Sequence, residues 1–372
     1  MQQNRPYLVV AQSGRALAAS AARANIKTHV IDRFTDVDTQ CYALSTRRIS
    51  GNVTGLDTGE LLSALDEYAD KSLAGVVIGS GLESKFEMLD IIGKRIPLLG
   101  NQGECVRFCK DPVLLFGLLD ALGIPHPETR ISSAGCPGDW LVKIAGATGG
   151  QHISSVRNLK EQSQGQYFQE HISGKSISVV FIANGKQAQV IGLNETWARA
   201  PKDHDFSYSG AVTLPDLEKH FVRTIERIVT ILVKQLGLAG LCGVDIIIDA
   251  NGECNVLEIN PRPPATFELH EQGTSLFYAH VMACSGQLIS LPQADMKFRG
   301  HEIVFAPVEF TVPVSVWPEW VADRPHYNYR IASDAPICTI TAAANSTEEV
   351  RFLLEQRKAS VYELLGLQRI AA

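Results

Sequence analysis

Asp245, Glu258 and Asn260 have the residue types and spacing to do chemistry together. They flank Asn251-Gly252, a dipeptide suited to a two-residue hairpin, because both central residues of a type I′ turn need positive φ. Counting outward from that tip sets Asp245 directly opposite Glu258, and Asn260, two residues on, shares the face of Glu258. Two facing carboxylates repel unless a cation lies between them. Three oxygen donors without His or Cys suit Mg²⁺ or Mn²⁺, which complete their shells with water and phosphate oxygens. The plain alternative is a solvated hairpin face. Ile246, Ile248 and Val256 argue against it, since both faces read as largely buried.

A magnesium site calls for phosphate, and the chain supplies partners upstream. Lys143 closes the apolar run Trp140-Leu-Val-Lys143, and Gly146-Ala-Thr-Gly149-Gly150-Gln-His152 follows at once. Backbone N–H groups of a glycine-rich loop can approach phosphate oxygens while a neighbouring lysine supplies charge. Gly174-Lys175-Ser176 looks like the end of a P-loop, but the glycine required upstream is Gln169 and no strand–loop–helix surrounds it. Glu268, His270 and Glu271 are open to two readings, an acid–base or metal cluster and the polar face of a helix.

The elements that must position these groups alternate at first. Tyr7–Ala11, Thr28–Ile31 and Leu73–Ile78 read as strands, separated by an Ala-rich helix ending near Asn25 and followed by a helix through Lys94. Such alternation implies a parallel sheet, with ligands beyond the strand ends, at Ser13–Arg15 and Gly79–Glu83. A nicotinamide site is disfavoured: the first turn has one glycine where the fingerprint needs three, and Asp32 suits a cap or turn. Asp111-Pro112 opens a helix to Leu122. Short strands with glycine turns follow at Asp139–Ile144, Gly146–Gly150, Tyr167–Ile172, Ser176–Ile182 and Gln189–Leu193. A long amphipathic helix covers Leu217–Leu236, the hairpin Leu241–Asn260, a strand Glu302–Val312, and a last helix starts at Thr347.

The chain has 372 residues, with 34 basic against 40 acidic side chains and 45% apolar residues. That apolar content offsets chain entropy and excludes wholesale disorder. The net charge of −6 argues against a nucleic-acid partner. No run approaches the ~20 apolar residues of a membrane span. The first residues lead into a strand without a signal-peptide pattern, and the eight cysteines form no CxxC pair. The expectation is a cytoplasmic protein with reduced thiols and no membrane partner. The last eighty residues, with Trp317 and Trp320, suit either an extra subdomain or a homodimer surface.

Lys110-Asp111-Pro112, Lys143 with its glycine loop, Gln169-Glu170-His-Ile-Ser-Gly174, Asp245 and Glu258-Ile-Asn-Pro-Arg262 occur in an order and spacing that resemble the ATP-grasp superfamily. The motifs span about Pro97 to Gly286. The resemblance implies an α/β and α+β multi-subdomain chain, an ATP-grasp fold behind an N-terminal Rossmann-like pre-ATP-grasp domain. It divides the chain into that domain at 1–105, a lid and hinge at 106–185, a catalytic core at 186–290 and an extension at 291–372. By resemblance, Lys110 and Lys143 would contact ATP phosphates, with Gly149 and Gly150 in the loop. The hinge Gln169, Glu170, His171 and Ile172 would read adenine through its backbone, and Arg262 would face the transferring phosphate. Asp245, Glu258 and Asn260 would hold one or two Mg²⁺. The ribose-binding acid that many members place after the hinge glycine is absent from Lys175-Ser-Ile-Ser178.

More narrowly, Gly79-Ser-Gly81-Leu-Glu83, Leu99-Gly-Asn101, Asn194-Glu195, Phe206-Ser-Tyr-Ser-Gly210 and Pro336-Ile-Cys338 resemble the carboligase group that includes tyramine–glutamate ligases. The implied reaction joins a small carboxylate to an amine through an acyl phosphate, releasing ADP and phosphate. Glu83, Asn194 and Glu195 are the candidate amine contacts, Arg262 and His270 the candidate carboxylate contacts, and Gly81 a further candidate substrate residue. The alternatives are an ATP-dependent carboxylase, a ligase of another bond, or an ATP-binding regulatory protein without turnover.

Overall fold

Short apolar runs separated by helical stretches fold, at the start of the chain, into a five-stranded parallel sheet. In the computed structural model, which describes residues 5–68, 71–133, 135–136, 139–199, 206–292 and 296–367, its order is Ser45–Arg48, Thr28–Asp32, Tyr7–Val10, Gly75–Ile78, Leu98–Leu99. The order reverses between Tyr7–Val10 and Gly75–Ile78, and the turns Ser13–Arg15 and Gly79–Glu83 open at that crevice. The helix Arg15–Arg23 and the later Glu87–Gly93 correspond to the two expected from the pattern. The strand Ser45–Arg48 and the helices Val37–Tyr42 and Thr58–Asp66 were not legible in it.

Asp111 caps the helix Pro112–Leu122 by accepting from the amides of Val113 and Leu114, which fixes Lys110 one residue before the cap. A small antiparallel sheet follows, with Ser154–Ser155, Trp140–Ile144, Gln166–Glu170 and Thr129–Arg130 side by side around Trp140, Val142 and Phe168. Gly146–Gly150, expected among short strands, is a loop at the end of Trp140–Ile144.

The rest of the chain builds one eight-stranded antiparallel sheet. Its order is Cys254–Asn260, Ala239–Asp249, Gly174–Asn184, Ala188–Ala198, Tyr208–Thr213, Phe298–Phe305, Pro336–Ala344, Val321–Ala322. Alternation gives it two faces. Ile177, Val179, Phe181, Val244 and Ile246 pack under the helix Lys219–Leu236. Ser178, Val180 and Ile182 face the other way, toward the 3₁₀ turn Ala265–His270 and the helix Leu276–Cys284.

The strand expected at Glu302–Val312 is Phe298–Phe305, and Phe310–Thr311 is a separate short strand. The extension therefore adds strands to the main sheet. The helix Thr347–Leu364 covers it with Val350, Leu354 and Val361, and Trp317 and Trp320 pack against this cluster. Leu354 is fully buried, so truncating it to Ala costs about 2–5 kcal/mol.

One guanidinium ties the parts together. Arg15 Nε lies 3.0 Å from Asp323 Oδ1 in the extension, and its terminal nitrogens pair with both oxygens of Glu268 in the 3₁₀ turn. Among the described residues, no helix is long and apolar enough to cross a membrane.

Candidate active site

The hairpin brings Asp245 opposite Glu258, as the spacing predicts, but by another route. The turn has three residues between Asp249 and Glu253, with Gly252 at φ +80°. That is a type I turn closed by a glycine bulge. Near it Ile248 pairs with Cys254 and Ile246 with Val256; a second bulge, at Leu257, then shifts the register so that Glu258 meets Asp245.

The three donors form one network. Asn260 Nδ2 donates to Asp245 Oδ2 at 2.9 Å, and Lys110 Nζ donates to Asn260 Oδ1 at 2.9 Å and to Glu258 Oε1. Burial, then the neighbouring Glu258, pushes the Asp245 carboxyl up to about 6. Burial also acts to raise Glu258, but Lys110, by charge and hydrogen bond, together with the charges of Lys143 and Arg262, holds Glu258 below its ordinary value. Glu258 keeps 37% of its side chain open to the crevice. The donors fit Mg²⁺: all are oxygens, and the Lys110 ammonium already stands in for positive charge between two of them. Among the described residues there is no cluster of three His, Cys, Asp or Glu that could hold a metal. The set therefore fits a cation that shares its shell with water and phosphate, and not one held in an all-protein cage.

Across the crevice stands Lys143, 7% exposed, its Nζ donating to Gln169 Oε1 at 2.5 Å. Burial pulls its pKa down, against the pull of Glu258 and Asp245. Gln169 Nε2 in turn donates to Thr129 Oγ1. Lys110, Lys143, His152 and Glu258 line this crevice, which opens to solvent, with Phe116, Ile144, Tyr167 and Leu257. His152 has a buried Nδ1 without a hydrogen-bond partner, and burial lowers its pKa to about 4, so the ring is neutral. In the expected hinge, the Glu170 amide donates to Glu128 O and that of His171 to Asp139 O. Those two amides are engaged within the protein; Glu170 and His171 are exposed and Ile172 is half-buried.

Gly149 and Gly150 both have φ +77°. A Cβ on Gly150 would lie 1.8 Å from Phe206 O, so this close approach requires glycine. Gly149 O accepts from the Tyr208 amide, which ties the loop to the main sheet.

Arg262 extends the donor network toward the N-terminal sheet. Its Nη2 donates to Asn260 Oδ1 at 3.3 Å and its Nε to Glu83 Oε1 at 2.8 Å. The other Glu83 oxygen accepts from the amide of Gly81 at 2.6 Å. Both oxygens of Glu83 are thus engaged, and the side chain is 3% exposed.

The remaining candidates separate. Asn194 and Glu195 are adjacent on one strand and point to opposite faces. Asn194 is fully buried, donating to Ser178 O and bonded to His270 Nε2 at 2.9 Å. Burial drops the His270 pKa to about 4. Glu195 pairs instead with Lys175 and Arg351. Glu268 and Glu271 are neither a metal cluster nor the polar face of a helix: Glu268 holds Arg15, and Glu271 accepts from Ser20 and Arg23. Tyr208 lies in the segment 206–210 singled out by resemblance, but its hydrogen bond to His301 beside this face escaped sequence reasoning because the two meet only across strands.

Residues 109–266 match the family model described as the ATP-grasp domain. No curated protein matches the sequence. Among solved structures, the chain is similar to a pyruvate carboxylase of Rhizobium etli, with TM-score 0.74 and 14% identity over 95% of this chain and 37% of that one. It spans little more than a third of that enzyme. It is similar to an L-amino acid ligase of Bacillus licheniformis, with TM-score 0.71 and 13% identity over 95% and 96% of the two chains. It is also similar to the biotin carboxylase domain of a Hydrogenobacter thermophilus 2-oxoglutarate carboxylase, a dimer in complex with MgADP, ADP and bicarbonate. That match has TM-score 0.73 and 15% identity over 96% and 89% of the chains. At such identity these likenesses show the fold: it is an ATP-grasp fold.

Proposed function

Because residues 109–266 form an ATP-grasp domain, we propose that the protein is an ATP-dependent carboxylate–amine ligase acting through an acyl phosphate. The observation that carries this reading is the shared network of Lys110, Glu258, Asn260, Asp245 and Arg262, with Lys143 across the crevice. It gathers positive groups and hard oxygen donors, the set that phosphoryl transfer needs, since that reaction depends on positioning and charge neutralisation.

In this reading a substrate carboxylate oxygen attacks the γ-phosphorus of ATP and ADP departs, leaving an acyl phosphate. An amine nitrogen then bonds to the carbonyl carbon and phosphate leaves. Asp245, Glu258 and Asn260 would hold Mg²⁺, which supplies neutralisation of charge on the phosphate oxygens. Lys143 and the glycine-loop amides would bind the phosphates, and Arg262, aimed by Glu83, would balance charge on the transferring group. The loop 146–152, tied to the main sheet through Tyr208, would exclude water from the acyl phosphate.

A coupled ADP-release screen over carboxylate–amine pairs tests the proposal. It starts with glutamate plus tyramine or tyrosine and includes bicarbonate as a carboxylate. ADP release that needs both a carboxylate and an amine is the expected result. Release with bicarbonate alone would make the protein a carboxylase, and silence on every pair despite Mg·ATP binding would make it a regulatory ATP binder.

A further inference from the structure

One row of residues crosses the main sheet on the face of the donor network: Asp245 pairs with Ser178, Ser178 with Asn194, and Asn194 with Thr213. Ala211 shares that face and pairs with His301, so the imidazole of His301 stands on it as well. Tyr208 has the parity of Gly210 and by strict alternation would point away. Trp197 pairs with Gly210, but Ala198 pairs with Tyr208, leaving Ser209 as an extra residue. This bulge turns the phenol back onto the row, with its Oη 2.5 Å from His301 Nε2.

The contact continues inward. His301 Nδ1 lies 3.3 Å from Glu268 Oε1, and because a carboxylate only accepts, this side of the ring is the one that points a proton at Glu268 and leaves Nε2 to the hydroxyl. That contact falls short of a regular hydrogen bond, as is common for catalytic groups before substrate closes a site. Glu268 is held ionised by Arg15 and His301, well below the ordinary carboxylate range although burial opposes this. His301 is 3% exposed, and the Tyr208 amide is bonded to Gly149 of the glycine loop. A hydroxyl, an imidazole and an ionised carboxylate in series form a proton-accepting chain. Burial first, then the charges of Glu268 and Asp245, pushes the Tyr208 phenol above its ordinary value, so the hydroxyl at this end of the chain keeps its proton until His301 takes it.

We propose that Tyr208 takes the proton that the attacking amine must shed, passing its own to His301, whose resulting imidazolium Glu268 stabilises. This rests on the ligase reading. In the step, the neutral amine nitrogen bonds to the carbonyl carbon and the carbon–oxygen bond to phosphate breaks, its electron pair leaving on the phosphate. The nitrogen's proton moves to Tyr208 Oη while the phenol proton moves to His301 Nε2. Return of that proton through Tyr208 to the departing group releases hydrogen phosphate and restores the chain. Tyr208 is the catalytic residue; His301 and Glu268 act through it.

The test compares Tyr208→Phe and His301→Gln with the wild type on the carboxylate and amine found in the screen, and on the same carboxylate with hydroxylamine. Hydroxylamine is weakly basic and sheds its proton to water without help. Amide formation should fall by ~10²–10⁴-fold in both variants, while hydroxamate formation falls at least ~tenfold less. Mg·ATP affinity, measured by calorimetry, confirms that the variants are folded. Equal losses with the two nucleophiles, or amide formation within a few-fold of wild type, would overturn the inference while leaving the ligase reading intact. Failure of the ligase reading shows earlier and separately, as a screen in which no carboxylate–amine pair makes the wild type release ADP.

Discussion

Glu83 Oε1 accepts from Arg262 Nε at 2.8 Å, so an acid from the N-terminal sheet aims the arginine that adjoins the oxygen donors of the core. Glu83→Gln keeps the shape and removes the charge. The expected result is a kcat lower by ~10–100-fold, the scale of a misplaced reacting group, with Mg·ATP affinity nearly intact. Steady-state kinetics and calorimetry separate the two. Lost nucleotide affinity with normal kcat would move Glu83 into nucleotide binding.

Glu258→Ala removes one carboxylate from the network and the ion-pair partner of Lys110. It should abolish ADP release, and Asp245→Asn should raise the Mg²⁺ concentration needed for nucleotide binding. Both are read by titrating Mg²⁺ at fixed ATP. Near-normal turnover of Glu258→Ala would sink the magnesium assignment.

Gly150→Ala forces a side chain into φ +77° and against Phe206 O. A left-handed non-glycine residue costs roughly 1–2 kcal/mol. Expressed in loop docking, that weakens ATP binding by about tenfold. The KM for ATP should rise accordingly, with little change in thermal midpoint. An unchanged KM would detach the loop from the nucleotide.

His280 links the two main sheets: its Nδ1 accepts from the Leu241 amide at 2.8 Å and its Nε2 donates to Leu99 O at 3.0 Å. Burial pulls its pKa from 6.5 to about 4. The unfolded chain therefore takes up a proton first as pH falls. The stabilisation is complete above about 6.5 and declines toward 4, by about 2 kcal/mol at pH 5. Urea unfolding at pH 8, 6 and 5 should show this loss, and His280→Gln should lessen it by about that amount while leaving the share of His152 and His270, which carry the same downward shift. The same slope in both proteins would assign it to other groups.

Local signals carried much of the fold. Asp111-Pro112 marked its helix start, and the motif order predicted an ATP-grasp domain. The facing of Asp245 and Glu258 was legible, yet its cause was not. A three-residue turn and a bulge at Leu257 offset each other, and neither has a period that alternation can show. The fates of Glu83, Asn194 and Glu195 were hidden for a related reason. Each is decided by a partner remote in sequence: Arg262 for Glu83, His270 for Asn194, Arg351 for Glu195. Tyr208 needed a bulge and a second strand to become visible beside His301.

The Arg15 guanidinium sets a schedule on synthesis. Its two acids lie 253 and 308 residues downstream. At roughly 5–20 residues per second, about 15–60 s pass between the emergence of Arg15 and that of Asp323. Through that interval the parallel sheet can form from its own apolar strands, but its ligand-side rim stays open. The joint between the parallel sheet, the 3₁₀ turn and Asp323 is closed last, because every strand of that sheet is synthesised before either acid that holds Arg15.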